Sequence, residues 1–241
     1  MIEIRKNEER GRTQLGWLNS RHSFSFGRYY DPKHVSFGPL LVLNDDVVMP
    51  GTGFGTHDHD NMEIVTYVLN GTLEHRDSMG ARGLIGEGDV QRMTAGTGIS
   101  HSEYNASAEK PVHFYQIWFV PNQQGLAPSY EQKNFTSDQR RNKFLPVASH
   151  RKELGGVVVN QDVIMSVGSF DAGAEEKISL DVSRGAYFHI IDGKVQINGA
   201  VAGPGDAVMV KEESQVILSA LEKSEVIFFD VPLAGWDQSI E

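Results

Sequence analysis

Two stretches far apart in this chain repeat one another, and that repeat limits the fold more than any single motif. Leu69-Asn70-Gly71-Thr72-Leu73 is matched by Ile191-Asp192-Gly193-Lys194-Val195, and Gly88-Asp89-Val90 by Gly205-Asp206-Ala207. Asn-Gly and Asp-Gly between apolar residues mark tight β-hairpins, whose central positions need positive φ. Runs rich in β-branched and aromatic residues surround them, such as Ile64-Val65-Thr66-Tyr67-Val68-Leu69 and His113-Phe114-Tyr115-Gln116-Ile117-Trp118-Phe119-Val120, the latter stopped by Pro121. Helical periodicity is nearly absent. Short strands with glycine-rich turns indicate an all-β sandwich or barrel, and the repeat indicates two copies of one β unit. At 241 residues the chain is long enough for both.

Smaller features fill in the plan. Ser23-Phe24-Ser25-Phe26 alternates like a half-buried strand, with Phe24 and Phe26 expected in the core rather than against a ligand. Pro39-Leu40-Leu41-Val42-Leu43 reads as a buried strand ended by Asn44, Asp45 and Asp46. Residues 121–150 are polar and interrupted by Gly125 and Pro128, so they are expected to connect the two units, with one short helical turn within 136–144.

The chemistry-bearing residues fall between Gly51 and Asn105. His57 and His59 are one residue apart, so on an extended segment their side chains leave the same face. His101 and Glu103 repeat that spacing. A sheet folding back on itself would bring the two pairs together and offer three imidazoles and a carboxylate to one divalent transition metal. A single His-x-His is a weak signal, since surface and hydrogen-bonded histidines are common; two pairs in glycine-rich settings are a stronger one. Counting from Gly193 and Gly205 puts Ser179, Asp181, Leu218 and Ala220 at the corresponding places of the second unit. That unit is therefore expected to hold no metal, and His150 and His189 to be ordinary structural or surface residues.

Composition narrows the partners. Thirty-two acidic against 22 basic residues give a formal charge of −10, which leaves no electrostatic footprint for direct nucleic-acid binding. There are no cysteines, hence no disulfides or thiolate ligands. The charged segment Met1–Arg10 lacks the apolar centre of a signal peptide, and no apolar run is long enough for a membrane span. The expectation is a cytoplasmic protein with no membrane contact.

Gly51, His57, His59, Glu63 and Gly71 resemble the first motif of the cupins, and Gly88, Thr94, Gly96, His101 and Asn105 the second. Two departures stand out: the interval from Gly96 to His101 is two residues longer than the general pattern, and Thr94 stands where proline is usual. The run Ala95-Gly96-Thr97-Gly98-Ile99-Ser100-His101-Ser102-Glu103 resembles the pirin family, as do Tyr29-Tyr30-Asp31-Pro32, Gly53-Phe54-Gly55-Thr56-His57 and Tyr115-Gln116-Ile117-Trp118. The similarity is strong over the first 135 residues and looser beyond. It is closest to bacterial pirin-like proteins with quercetin dioxygenase activity.

The resemblance implies a bicupin, two jelly-roll-like β-barrels in tandem, with residues 1–135 as the metal-binding domain and 136–241 as a domain without ligands. It implies one metal per chain held by His57, His59, His101 and Glu103, with Fe(II) first and Zn, Ni, Cu, Co or Mn as alternatives. Glu63, a ligand in many other cupins, is left to orient a ligand imidazole or to stay hydrogen-bonded in the barrel wall. The implied reaction is cleavage of a quercetin-like flavonol by O2 with release of carbon monoxide, Glu103 being the only carboxylate expected in place to take the hydroxyl proton. The other roles implied are an iron-dependent regulatory partner, as in eukaryotic pirins, or a sensor of phenolic compounds or redox state. No substrate-contacting residue is singled out.

Overall fold

A computed structural model describes residues 1–236 and is nearly all β, with only three short 3-10 turns among the described residues. Four antiparallel-dominated sheets are present, two of seven strands and two of four. One seven-stranded sheet and one four-stranded sheet form each barrel, so the expected tandem of β-barrels is what the chain adopts.

The two large sheets face one another. Val65, Tyr67, Tyr115, Ile117 and Phe119 from the first meet Met165, Val167, Tyr187, Ile227 and Phe229 from the second in one continuous core. This is why the strands Glu63–Asn70 and Val112–Phe119 carry apolar residues on both faces: one face lines its own barrel, the other packs against the neighbouring one. Polar pairs are buried in the same seam, with His189 Nε2 3.0 Å from the Tyr115 hydroxyl and the Tyr67 hydroxyl donating to Glu225 at 2.9 Å.

One strand also crosses between the halves. Ile2–Arg5 pairs with Ala207–Lys211 at the edge of the second large sheet. Ser129–Asn134, within the stretch expected to be a plain connection, pairs with Asp89–Thr94 at the edge of the first. The first strand of the chain thus belongs to the second barrel's sheet, while the connecting stretch adds an edge strand to the first. The expected helical turn is there as Asp138–Arg140.

Two local expectations are corrected. The strand Leu40–Val48 runs straight through Asn44, Asp45 and Asp46, because Asn44 and Asp46 point into the barrel where polar partners await them. Residues 23–26 form bends and a single bridge, Phe26 to Tyr29, rather than a strand. Phe24 is buried in the shared core, whereas Phe26 packs edge-on against Trp118 at 5.6 Å and lines a cavity.

Inside the barrels the two halves differ. The second is filled by an unbroken apolar cluster from Phe170 to Phe228. In the first the apolar filling is split, with Leu18, Val48, Leu73 and Phe114 at one end and Ile64, Met93 and Ile99 at the other. Histidines and carboxyl groups occupy the space between.

Candidate metal centre

Gly53–His59 and Ile99–Asn105 are neighbours in the four-stranded sheet, paired so that His101 lies opposite His57 and Ile99 opposite His59. A β-bulge then shifts the register, and Glu103 pairs with Phe54. Close approach of the strands needs Gly53: a Cβ there would fall 2.2 Å from the Glu103 carbonyl oxygen. Gly96 is required in the turn before His101, where φ is +51° and a Cβ would lie 2.0 Å from the Leu126 carbonyl oxygen.

The register brings three imidazoles together. Ring centroids are 4.8 Å apart for His57 and His59, 4.5 Å for His57 and His101, and 5.0 Å for His59 and His101. One nitrogen from each lies within 4.8 Å of the other two. His57 donates its Nδ1 hydrogen to the Gly55 carbonyl at 2.7 Å, which leaves Nε2 as a lone pair, 3.1 Å from His101 Nε2. Burial pulls the His59 pKa down to about 4, with His57 adding to the effect, and that of His101 further still. Neutral imidazoles with converging nitrogens are the form in which histidine binds metal, so the donor set fits a divalent transition ion.

Glu103 stands slightly apart. Its carboxylate lies within 4.8 Å of nitrogens on His101 and His75 rather than joining the cluster of His57 and His59. Gln116 Nε2 donates to it at 2.7 Å, and the Thr66 hydroxyl is 3.4 Å away. Burial raises its pKa to about 7, the charge of Asp46 adding to the shift and the Thr66 and Gln116 hydrogen bonds opposing it.

Glu63 is on the other face of its strand. It shares the period-two face of Val65 and Tyr67, toward the second barrel, while Thr66 points at Glu103. Its carboxylate accepts from the Asn160 N–H at 3.0 Å and the Asn160 side-chain amide at 3.2 Å. These hydrogen bonds place the Glu63 carboxylate in the barrel wall, against the second unit.

A cavity of about 100 Å³ opens beside His57 and Glu103, walled by Leu18, Phe26, Phe54 and Trp118. Asp46 lines it too, fully buried, so Glu103 is not the only carboxylate present. Burial lifts the Asp46 pKa to about 7, against a hydrogen bond from Ser20. Two buried polar atoms of this lining, Asp46 Oδ1 and Trp118 Nε1, have no hydrogen-bond partner in the protein. A more open groove of about 400 Å³ passes His59 on its other side, along Asp58, Asp60 and Ser100. Asp46, Gln116 and Trp118 escaped sequence reading because they look like ordinary strand residues; the one available signal was Asp46 and Asn44 sharing a face within a β run.

The second barrel shows what the site looks like when replaced by hydrocarbon. Val216 faces Ile178 as His101 faces His57, and Leu218 pairs with Ile197 as Glu103 pairs with His75. Phe188 and Phe228, stacked at 4.8 Å, stand where Thr66 and Gln116 pair in the first barrel. Thus Ile178, Leu180, Val216 and Leu218 take the places of His57, His59, His101 and Glu103, so that Leu218 matches Glu103 rather than His101, and Ser179, Asp181 and Ala220 lie off these positions. Counting failed because the turn after Leu180 is one residue longer than the turn after His59, and the turn before His101 is two residues longer than its counterpart before Val216. These four side chains are all hydrocarbon.

Comparison with known proteins agrees with this geometry. The Pirin family model matches residues 3–119, and the model for the quercetinase C-terminal cupin domain matches 146–231. The chain is 42% identical over 232 residues to a protein of Escherichia coli strain K12 named quercetin 2,3-dioxygenase, covering 96% of this chain and 99% of that one. It is 36% identical to a pirin-like protein of Caulobacter vibrioides, over 95% and 99% of the two chains. The crystal structure of the bacterial pirin YhhW from Escherichia coli in complex with nickel(II) superposes with a TM-score of 0.92 at 41% identity, covering 96% and 99%. The chain belongs to the pirin family.

Proposed function

We propose that this protein is a metal-dependent dioxygenase that cleaves a quercetin-like flavonol with O2 and releases carbon monoxide. The observation that carries the reading is the convergence of His57, His59 and His101 beside a cavity that holds Glu103 and the unpartnered polar atoms of Asp46 and Trp118. His57, His59, His101 and Glu103 are the proposed ligands of one divalent transition metal, iron or nickel before zinc, copper, cobalt or manganese. Such an ion supplies Lewis acidity toward the 3-hydroxyl of the flavonol and a redox partner for O2.

The protein's own groups do the rest. Glu103, whose carboxyl pKa burial raises to about 7 in the metal-free protein and which a bound cation would keep ionised, is placed to take the hydroxyl proton. Gln116 holds the carboxylate in place through its amide. Asp46 Oδ1 offers an acceptor to a second substrate hydroxyl and Trp118 Nε1 a donor to a substrate oxygen. Leu18, Phe26 and Phe54 exclude water from the reacting edge. The resemblance to proteins named quercetin 2,3-dioxygenase supports the same reaction class.

The size of the cavity favours a second reading. About 100 Å³ takes the hydroxyl-bearing edge of a flavonol, not its three-ring body, since an apolar void of roughly 150 Å³ is filled by benzene alone. A smaller phenol bound without turnover would make the protein a sensor. Oxygen uptake and carbon monoxide release by the metal-loaded protein with quercetin decide between them. Binding of quercetin without either product removes the dioxygenase reading.

A further inference from the structure

The strand Leu73–Asp77 flanks Ile99–Asn105 on the side away from His57, and pairs Asp77 with His101 and His75 with Glu103. The side chains of His75 and Asp77 are wholly buried. Asp77 is fixed first: its Oδ1 accepts from the N–H groups of Met79 at 2.9 Å and Ala81 at 3.0 Å. Its Oδ2 is 3.2 Å from His75 Nε2. A carboxylate can only accept there, so the single proton of neutral His75 sits on Nε2 and leaves Nδ1 bare. That bare nitrogen is 3.5 Å from His101 Nδ1. The contact is long for a hydrogen bond, yet only one arrangement makes it attractive: His101 must carry its proton on Nδ1. Its Nε2 is then a lone pair, directed to the side where the bare Nε2 of His57 lies 3.1 Å away; two facing lone pairs at that distance repel unless a cation lies between them, so this tautomer goes with an occupied metal site.

We propose that Asp77 and His75 are a positioning relay that fixes the tautomer and ring angle of His101, so that His101 meets the metal through Nε2. The inference rests on the metal-site reading above and not on the reaction. His75 is thereby a second neighbour of the ion rather than a fifth ligand, even though its nitrogen, one from His101 and a Glu103 oxygen lie within 4.8 Å of each other. The second barrel gives an internal contrast: Ile197 fills the equivalent position opposite Leu218, in a barrel without ligands. It also shows that a branched aliphatic side chain is accommodated there.

The test uses Co(II) as probe on metal-stripped full-length protein. Wild type should take up one equivalent and develop the visible bands of a histidine-bound ion. His75→Ile should fold, as judged by thermal unfolding without metal, but bind Co(II) 10–100-fold more weakly with shifted bands, the scale on which such outer partners act. His75→Gln, whose amide carries one acceptor and one donor, should stay within about threefold of wild type. In the Zn(II)-loaded, 15N-labelled protein, two-bond proton–nitrogen spectra should show His101 protonated at Nδ1 and His75 at Nε2. Equal affinity of wild type and His75→Ile overturns the relay, as does a His75→Gln protein as weak as His75→Ile. A second equivalent of Co(II) lost with His75 would make it a ligand and overturns the positioning role. A wild-type chain that binds no Co(II) overturns the metal centre itself.

Discussion

Glu63 of the first barrel holds Asn160 of the second by two hydrogen bonds, one to its backbone N–H and one to its side-chain amide, and has no exposed surface. Removing the carboxylate leaves the Asn160 backbone N–H without an acceptor and the side-chain amide with only Thr94 Oγ1, at 3.2 Å. Glu63→Ala should lower stability by about 2–3 kcal/mol in denaturant unfolding, the scale for a charged hydrogen-bond acceptor lost from the interior. Metal content should stay at that of the wild type, a result that a ligand-orienting role would contradict.

His57 and His59 supply two of the three converging imidazoles. Elemental analysis of metal-loaded protein should give about one equivalent per chain, none of it in the second barrel. Replacing both histidines with alanine should reduce this to background. Retention of a full equivalent would place the ion elsewhere.

Glu103→Gln keeps the shape of the side chain and removes its basicity. Turnover of quercetin should fall by roughly a hundredfold, with a smaller change in flavonol affinity. Metal is measured in the same samples, because a lost ion would imitate a lost base. Unchanged kcat at full metal content would show that another group takes the proton.

Asp46→Asn leaves the ligands untouched and, at pH 8, where a carboxyl with a pKa of about 7 is ionised, converts the unpartnered oxygen from an anionic to a neutral acceptor. Quercetin binding, followed through quenching of tryptophan fluorescence, should weaken about tenfold, a charged hydrogen bond being worth roughly 1.5 kcal/mol or more over a neutral one. An unaltered dissociation constant would remove Asp46 from the substrate contacts.

The pH dependence of metal-free stability follows from the buried groups. His59, His101 and His189 have folded pKa values far below their ordinary one, chiefly through burial, so each destabilises the fold as pH drops below about 6.5 and the unfolded chain gains protons. Asp46 and Glu103 act in the opposite sense: their folded pKa values are near 7, so the stability they contribute in the protonated form is lost as pH rises from about 4 through 7. Metal-free protein should therefore show its highest Tm at about pH 6–7 and decline on both sides. A Tm rising steadily to pH 9 would contradict the assignment of neutral carboxyls.

Much of this could be read from the chain, for physical reasons that differ by residue. Asn70-Gly71 marked its hairpin because a positive φ at Gly71, +84°, is a local demand that sequence states directly. The histidine pairs were legible because period two is independent of what surrounds a strand. Asn44 and Asp46 misled because a polar residue on a barrel's inner face looks the same as one that ends a strand. His75 and Asp77 repeat the same one-residue spacing, but their partner is a ligand on another strand, a relation set by register alone. Glu63 was ambiguous for a related cause: only the packing of a second barrel on its face decided what it binds.

The crossing of the first strand sets an order of events during synthesis. Ile2–Arg5 leaves the ribosome long before its partner Ala207–Lys211 exists, so the second large sheet gains this edge only when nearly the whole chain is made. The first large sheet, by contrast, gains Ser129–Asn134 halfway through. The half that carries the histidines can finish its own sheet early, while the pairing of Ile2 with Val210 is a closing clasp that prematurely terminated chains never form.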